Sequence, residues 1–313
     1  MNLHNQLDPI SRRAFCERWA SAALGVTVLH GLGGSGFAAE AAKAAAPTGP
    51  GFGKAKNVIF LQMIGGMSHI DTLDPKDGPT QGPKAPIKTK ADFQLGGTME
   101  NLAKQADKFS IIRSMTSKTG VHAAGQYVIR TGYEQRGTIK HPNIGAWAQH
   151  FLGSSHKTLP SNVCVNRQPQ NGNGFFPSSF SPLPILDPDV GLQYAKSEAS
   201  PEQLNKRLAM LDQLDAGFRD RFKTSEVKSY TQFYDKTISI MSSTDLEAFH
   251  LDDEPEALKE KYGKGKFGQG CLLARRLVEK GIRYIEVAKG GWDMHNNIDD
   301  GLDEHGAELD QAL

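Results

Sequence analysis

Two short, mostly apolar runs, each followed by a pair of glycines, constrain the fold of this chain more than any other feature. The first covers residues 57–63 (NVIFLQM) and the second residues 282–288 (IRYIEVA). Such runs, bounded by glycine, are typical of strands that are buried in a sheet. Residues 267–281 (FGQGCLLARRLVEKG), directly before the second run, predict a helix that ends at a glycine. The order helix, glycine, strand and polar loop indicates a parallel α/β sheet.

The rest of the chain supplies further elements of the same kind. They are strands at residues 110–115 (SIIRSM) and 162–165 (NVCV), helices at residues 96–109, 122–132 and 143–153, and a loop rich in Pro, Ser and Phe at residues 172–188. Together these elements predict an α/β fold with a doubly wound, mostly parallel sheet over residues 57–313.

Residues 200–262 have a different pattern and predict a helical insertion. Leucines recur at helical spacing at positions 204, 208, 211 and 214, and a second helical pattern follows in YTQFYDKTISIM. We expect the two helices to form a hairpin laid over the sheet. Their Leu and Phe side chains are expected to serve packing rather than a cofactor site.

Charge and cysteine content exclude two classes of function. The chain has 313 residues with 36 basic and 35 acidic side chains, a net charge of +1. Without a basic field, we expect no binding to nucleic acid. The three cysteines, at positions 16, 164 and 271, lack the CxxC spacing of a thiolate zinc site. Cys164 and Cys271 either form a disulfide in an oxidising compartment or remain two buried thiols, and we favour the thiols.

Residues 1–42 have the pattern of a twin-arginine signal peptide. Arg12 and Arg13 precede a Gly/Ala-rich apolar stretch at residues 20–36, and a small-residue cleavage region follows. Residues 43–56 then form a linker. The apolar stretch contains polar residues and several glycines, so we expect no stable transmembrane span. This pattern predicts export by the twin-arginine machinery to the periplasm or the exterior; the alternative is an ordinary amphipathic helix.

Polar side chains collect in three loops that are predicted to follow strands. Taken in chain order, the loops contain His69 and Asp71, then His122, and then Asp293 and His295. Ligands of open α/β sheets bind beyond the carboxyl ends of the strands, so we predict that these five side chains face one cleft. Carboxylates and imidazoles are ligands for Zn²⁺, Mn²⁺ or Mg²⁺ rather than for copper–thiolate chemistry.

The spacing of these residues supports a shared ion. His69 and Asp71 are two positions apart, as are Asp293 and His295. In an extended segment such residues point to the same side, with about 6.5–7 Å between their Cα atoms. Each also has an ordinary structural role open to it: Asp71 can cap a turn, His122 can cap its helix, and Asp293 can accept from amides of its own loop.

Several strings in the chain resemble the domain-of-unknown-function-1501 family, which is related to the alkaline phosphatase and sulfatase superfamily. They are the twin-arginine leader, GGMSHIDTLDPK, RSM, a histidine separated by eight residues from Thr-Gly, and GGWDMHNN. The resemblance covers the chain from about residue 57 to its end. It implies an alkaline phosphatase-like sheet that carries an ester hydrolase site with one or two metal ions. In that superfamily the nucleophile begins a helix that ends in Thr-Gly, and the matching position here is His122.

The sequence departs from the superfamily pattern in three places. The nucleophile position holds His122 instead of Ser, Thr or Cys. Asp71 lies later than the aspartate that the superfamily places in a glycine-rich turn after its first strand. A later segment with an EFGR string and a final DH pair is not present, so we expect the α/β domain to be incomplete at its C-terminus.

These observations lead to two hypotheses of function. The first is an exported metal-dependent hydrolase of sulfate or phosphate esters, acting on small molecules or polysaccharides. Its ligands for Zn²⁺, Mn²⁺, Mg²⁺ or Ca²⁺ would be Asp71, Asp293 and His295, with His69 near them, and His122 would be nucleophile or ligand. The second is an envelope or binding protein that retains the fold without catalysis.

Overall fold

The main sheet has four parallel strands. The computed structural model describes residues 53–195 and 197–313, of which Lys56–Leu313 form one compact unit. The strands are β1 (Val58–Met63), β4 (Asn162–Val165), β5 (Leu183–Ile185) and β6 (Tyr284–Lys289), in the spatial order β1, β6, β4, β5. A separate antiparallel pair consists of β2 (Ile87–Lys88) and β3 (Gln94–Leu95). The α/β class, the mostly parallel sheet and three of the predicted strands are confirmed.

Helices connect and cover these strands. In the described part of the chain they are α1 (Glu100–Lys104), α2 (His122–Thr131), α3 (Ile144–Leu152), α4 (Pro201–Arg221), α5 (Ser225–Met241), α6 (Glu256–Tyr262), α7 (Lys266–Glu279) and α8 (Ile298–Ala312). Short 3-10 turns occupy Gly78–Thr80, Ala106–Lys108, Ser178–Phe180 and Thr244–Phe249. The predicted signal peptide at 1–42 and most of the linker at 43–56 lie outside the described residues.

Helices pack on both faces of β6, whose residues are all buried. Val287 faces α7, where a Cβ atom on Gly270 would lie only 3.0 Å from the Val287 side chain. Tyr284 faces the opposite side, where a Cβ atom on Gly145 of α3 would lie 2.6 Å from the Tyr284 ring. Alternate side chains of β6 are therefore buried against different helices. This double burial explains why the strand reads as a nearly continuous apolar run.

Helix α8 contacts both the start of α1 and the end of β6. The carboxylate of Asp310 accepts from the backbone N–H groups of Asn101 (2.8 Å) and Leu102 (2.7 Å), which have no partner within their own helix. Glu308 pairs with Lys289, the last residue of β6. The apolar face of α8 is buried at Leu302, Leu309 and Ala312.

The strand predicted at residues 110–115 is wrong. Ile112 and Met115 are 69% and 75% exposed, and the segment forms no ladder with any described strand. Its central side chain holds it instead: Arg113 donates to the backbone oxygens of Leu73 (3.1 Å) and Gln94 (2.9 Å). A short apolar run cannot distinguish a strand from a segment that is anchored by one long side chain.

One strand was missed inside the loop predicted at residues 172–188. The central residue of β5 is Pro184, which pairs in register with Cys164 of β4. Proline lacks a backbone N–H and is therefore confined to edge strands, and β5 is an edge of this sheet. The proline that favoured a loop in the sequence thus fits the position that the strand occupies.

The two helices of the insertion are confirmed, but α4 does not pack on the sheet as expected. Helix α4 has no buried residue, and Leu214 is 77% exposed. Other apolar residues of α4 face α5 across a cavity of about 420 Å³, with Leu208 on one side and Ile238 on the other. The leucine stripe of α4 therefore packs along α5, whereas α5 itself reaches the core through Ile240, which is 8% exposed. None of the helices in the described residues has the length and hydropathy needed to cross a membrane.

Cys164 and Cys271 are free, buried thiols, as we favoured from the sequence. Burial raises the pKa of each thiol to about 12, and the nearby carboxylate of Glu286 adds to this effect at Cys164 and that of Glu308 at Cys271. Both cysteines are therefore protonated at neutral pH. They act as small apolar residues of the core rather than as thiolate ligands or nucleophiles.

Candidate metal centre

The loops after β1 and β6 meet because the two strands are parallel neighbours. The backbone N–H of Ile64 donates to Lys289 O (2.8 Å), and that of Trp292 donates to Ile64 O (3.2 Å). Gly65 lies directly against Asp293: its φ is +110°, and a Cβ atom there would lie 2.3 Å from the Asp293 nitrogen. Only glycine fits this position, so the first glycine pair of the sequence makes room for the aspartate of the third loop.

Three predicted site residues come together at this edge of the sheet. The Nε2 atom of His122 lies 3.1 Å from Asp293 Oδ2, and Nε2 of His295 lies 2.8 Å from Asp293 Oδ1. One ligand atom from each residue falls within 4.8 Å of the other two. Two imidazoles therefore flank one carboxylate, each on a different oxygen.

The positions of these side chains follow from local structure. Trp292 is 1% exposed and Met294 packs against the core, so the residues beside them, Asp293 and His295, point together toward solvent. This is the same-side arrangement expected from their spacing. His122 arrives by a different route, as the first residue of α2. The strand expected before it does not form, and the packing of α2 on the sheet brings His122 to the cluster instead.

The donor set suits a divalent metal ion. Two imidazole nitrogens and a carboxylate oxygen are a three-ligand set of the kind that leaves one coordination position of Zn²⁺ open, and the same set also suits other first-row divalent ions. The His122, Asp293 and His295 side chains are 51%, 49% and 80% exposed, so a small molecule can reach them from solvent. The cluster is the one group of three or more His, Cys, Asp or Glu side chains with such geometry in the described ranges.

His69 and Asp71 do not join this cluster. Asp71 is buried at 4% exposure and accepts a hydrogen bond of 2.5 Å from the hydroxyl of Ser68 in its own turn. A Cβ atom on Gly82 would lie 1.7 Å from its other oxygen, so the neighbouring backbone packs tightly against it. His69 is exposed, and its carbonyl accepts from Thr72 and Asp74 in the same turn. Asp71 therefore stabilises its own turn, which is the alternative role named for it in the sequence analysis.

Arg167, just after β4, is a residue near the cluster that sequence reasoning missed. Its Nη1 donates to Gln62 Oε1 (3.3 Å) and Gln126 Oε1 (3.4 Å). Gln126 is one helical turn after His122 on α2, so the two side chains share a face of the helix. The residues around Arg167, NRQPQ, do not match the spacing of any functional motif. The signal that would have identified Arg167 is the sheet order, which places the ends of β1 and β4 on either side of Ala288.

The fold and cluster define the chain as a parallel α/β protein with a His–Asp–His group beyond the carboxyl ends of its strands. The model of a family described as "Protein of unknown function (DUF1501)" matches residues 55–313. The chain belongs to this family, which confirms the family predicted from its motifs. Comparisons with curated proteins and with solved structures gave no match.

Proposed function

We propose that this protein is a metal-dependent hydrolase of sulfate or phosphate esters, with a doubly wound fold of the alkaline phosphatase type. The observation that carries the proposal is the cluster of His122, Asp293 and His295 at the carboxyl end of a parallel sheet. A divalent ion (Zn²⁺, Mn²⁺, Mg²⁺ or Ca²⁺) bound there would polarise the ester oxygen and lower the pKa of a coordinated water. Asp71 and His69 lie outside the cluster and are not part of the proposed ligand set.

Asp293 and His122 would have different roles in the cluster. Asp293 holds both imidazoles through separate oxygens, so it orients them before an ion or substrate arrives. The first turn of α2 has no side-chain cap from Val121, and its positive end lies at His122. Negative charge on a reacting ester is therefore favoured beside His122.

We assign His122 as the third ligand, because its Nε2 already lies at the shared carboxylate. A nucleophilic His122 would instead form a phosphoryl–histidine bond and release the alcohol. Rapid quenching with a phosphate ester, followed by peptide mass spectrometry under alkaline conditions, separates the two roles. Phosphate on the peptide that contains His122 would reject the assignment as a ligand.

Hydrolysis tests the proposed function directly. With zinc or manganese supplied, the full-length protein should release nitrophenolate from 4-nitrophenyl sulfate or 4-nitrophenyl phosphate, and EDTA should abolish the release because the ion is required. The matched control is His150→Ala, which removes an exposed histidine of α3 that is not part of the cluster and should leave turnover unchanged. A folded, metal-loaded protein without turnover on either ester would reject this proposal.

The second candidate function is an envelope or binding protein without catalysis. It is favoured by exposed surfaces that have no role in the proposed hydrolase. Helix α4 has no buried residue, and Phe151 and Phe175 are 73% and 56% exposed. Large exposed apolar side chains in groups mark interaction surfaces. Absence of metal in the purified, folded protein would favour this candidate.

We propose that the protein acts in the periplasm or outside the cell, after export by the twin-arginine machinery. The supporting residues, Arg12 and Arg13, lie outside the described part of the chain. Replacing both with lysine should leave precursor in the cytoplasm, because this machinery requires the arginine pair. Cell fractionation and immunoblotting measure the result. Unchanged export of the double variant would contradict the proposal.

A further inference from the structure

We infer that Arg167, with the amides of Gln62 and Gln126, forms a binding subsite for a tetrahedral oxyanion beside the candidate metal centre. The inference deepens the proposed function and rests on it for one point, that the oxyanion belongs to an ester. The part of the inference that concerns a free inorganic oxyanion rests on the contacts of Arg167 alone.

The charge of Arg167 is only partly compensated by a carboxylate. The neighbouring carboxylate, Glu286, is paired with Arg130 in a buried contact. The two partners of Arg167 Nη1 are neutral amide oxygens, and its Nε donates to the carbonyl of Gln168 (3.3 Å). Within the described residues, Nη2 donates to no acceptor and no salt bridge includes Arg167. Nε and Nη1 are therefore held by neutral acceptors, while Nη2 remains available to an anion.

Its surroundings favour an anion. Arg167 is partly buried, and burial lowers the pKa of its guanidinium; the nearby charge of Arg130 adds to this effect and that of Glu286 opposes it. Burial and Arg130 disfavour the charged form, and a bound anion would offset both. The two N–H groups of Nη2 can each donate a charge-assisted hydrogen bond to an oxygen of sulfate or phosphate.

Strands of the sheet position Gln62 and Arg167 in this subsite. Gln62 of β1 is paired in register with Ala288 of β6, and β4, which leads into Arg167, is the next strand across. Arg167 contacts Gln62 across β6, where the residue paired with Gln62, Ala288, has only a methyl side chain. Gln62 is 4% exposed, so its position is fixed by packing. The arginine is thus held before any ligand arrives.

The subsite lies one helical turn from the candidate metal centre. Gln126 contacts Arg167, and His122 precedes it by four residues on α2. Side chains at this spacing have Cβ atoms about 5–6 Å apart. The subsite and His122 therefore lie on the same face of α2, with Gln126 in contact with Arg167.

Titration of inorganic sulfate and inorganic phosphate into the full-length protein tests the inference. We specify calorimetry in EDTA, at constant ionic strength held with sodium chloride, so that no metal ion contributes. Wild-type protein should bind at least one of the two anions. Arg167→Met should weaken that binding at least about fivefold, since a charge-assisted hydrogen bond is lost. Arg136→Met, a change at an exposed arginine, should leave the affinity unchanged.

A second measurement covers the possibility that Arg167→Met does not fold. In wild-type protein, the Arg167 Nε–H resonance should shift on addition of the anion. Equal affinity in wild type and Arg167→Met, no binding of either anion by wild type, or no shift of the Arg167 resonance would overturn the inference. Because metal is absent, failure of ester hydrolysis leaves this result unaffected, and loss of the subsite leaves metal binding to be tested separately.

Discussion

Replacing Arg130 with methionine should lower the free energy of unfolding by about 3–5 kcal/mol, because it leaves a buried carboxylate without its partner. Arg130 and Glu286 are 1% and 2% exposed and pair between α2 and the central strand β6. A charge that loses its partner in such a place retains the cost of desolvation without the compensating contact. Urea unfolding followed by circular dichroism measures the change.

Two further variants show whether the pair itself is responsible. Arg130→Met combined with Glu286→Leu should recover most of the loss, since well-packed apolar residues often replace a buried pair at little cost. Lys206→Met breaks an exposed pair with Glu202 on α4 and should change stability by less than about 1 kcal/mol. A loss below about 1 kcal/mol in Arg130→Met would contradict the importance assigned to the buried pair.

Asp293→Asn should weaken zinc binding by a factor of ten or more, equivalent to about 1.4 kcal/mol. It removes the carboxylate that both imidazoles of the cluster contact. His295→Ala should have an effect of the same order, because it removes one ligand nitrogen. Both side chains are exposed, so neither change should affect folding. Competition with a chromophoric zinc chelator measures the affinities.

The matched control is Asp300→Asn, which removes one carboxylate from the exposed first turn of α8. It changes the net charge by the same amount as Asp293→Asn and should leave zinc affinity unchanged. Equal losses in the two variants would mean that general electrostatics, rather than coordination at Asp293, determine the affinity.

The sequence predicted those parts of the fold that depend on local pattern. The runs in β1 and β6 and the helix–glycine–strand order before β6 were sufficient for a parallel α/β sheet. The segment at residues 110–115 was misassigned because its anchor, the Arg113 side chain, bonds to backbone that is distant in sequence. The leucines of α4 have helical spacing, but spacing does not tell which surface they cover.

The candidate site was predicted in part for the same reason. Asp293 and His295 are neighbours in sequence, and their pairing follows from the geometry of one extended segment. His122 depended on how α2 crosses the sheet, and Arg167 depended on the strand order. Asp71 has the same residue type and spacing as Asp293, yet it turns inward to Ser68. Only the position of the surrounding backbone distinguishes these two aspartates.

X-ray absorption spectroscopy of the zinc-loaded, full-length protein tests the central claim most directly. The account predicts one zinc ion per chain, coordinated by nitrogen and oxygen only, with the scattering pattern of two imidazoles. In His295→Ala the pattern should fall to one imidazole. A wild-type protein that binds no zinc, or a zinc spectrum that is unchanged in His295→Ala, would contradict the assignment of His122, Asp293 and His295 as a metal centre.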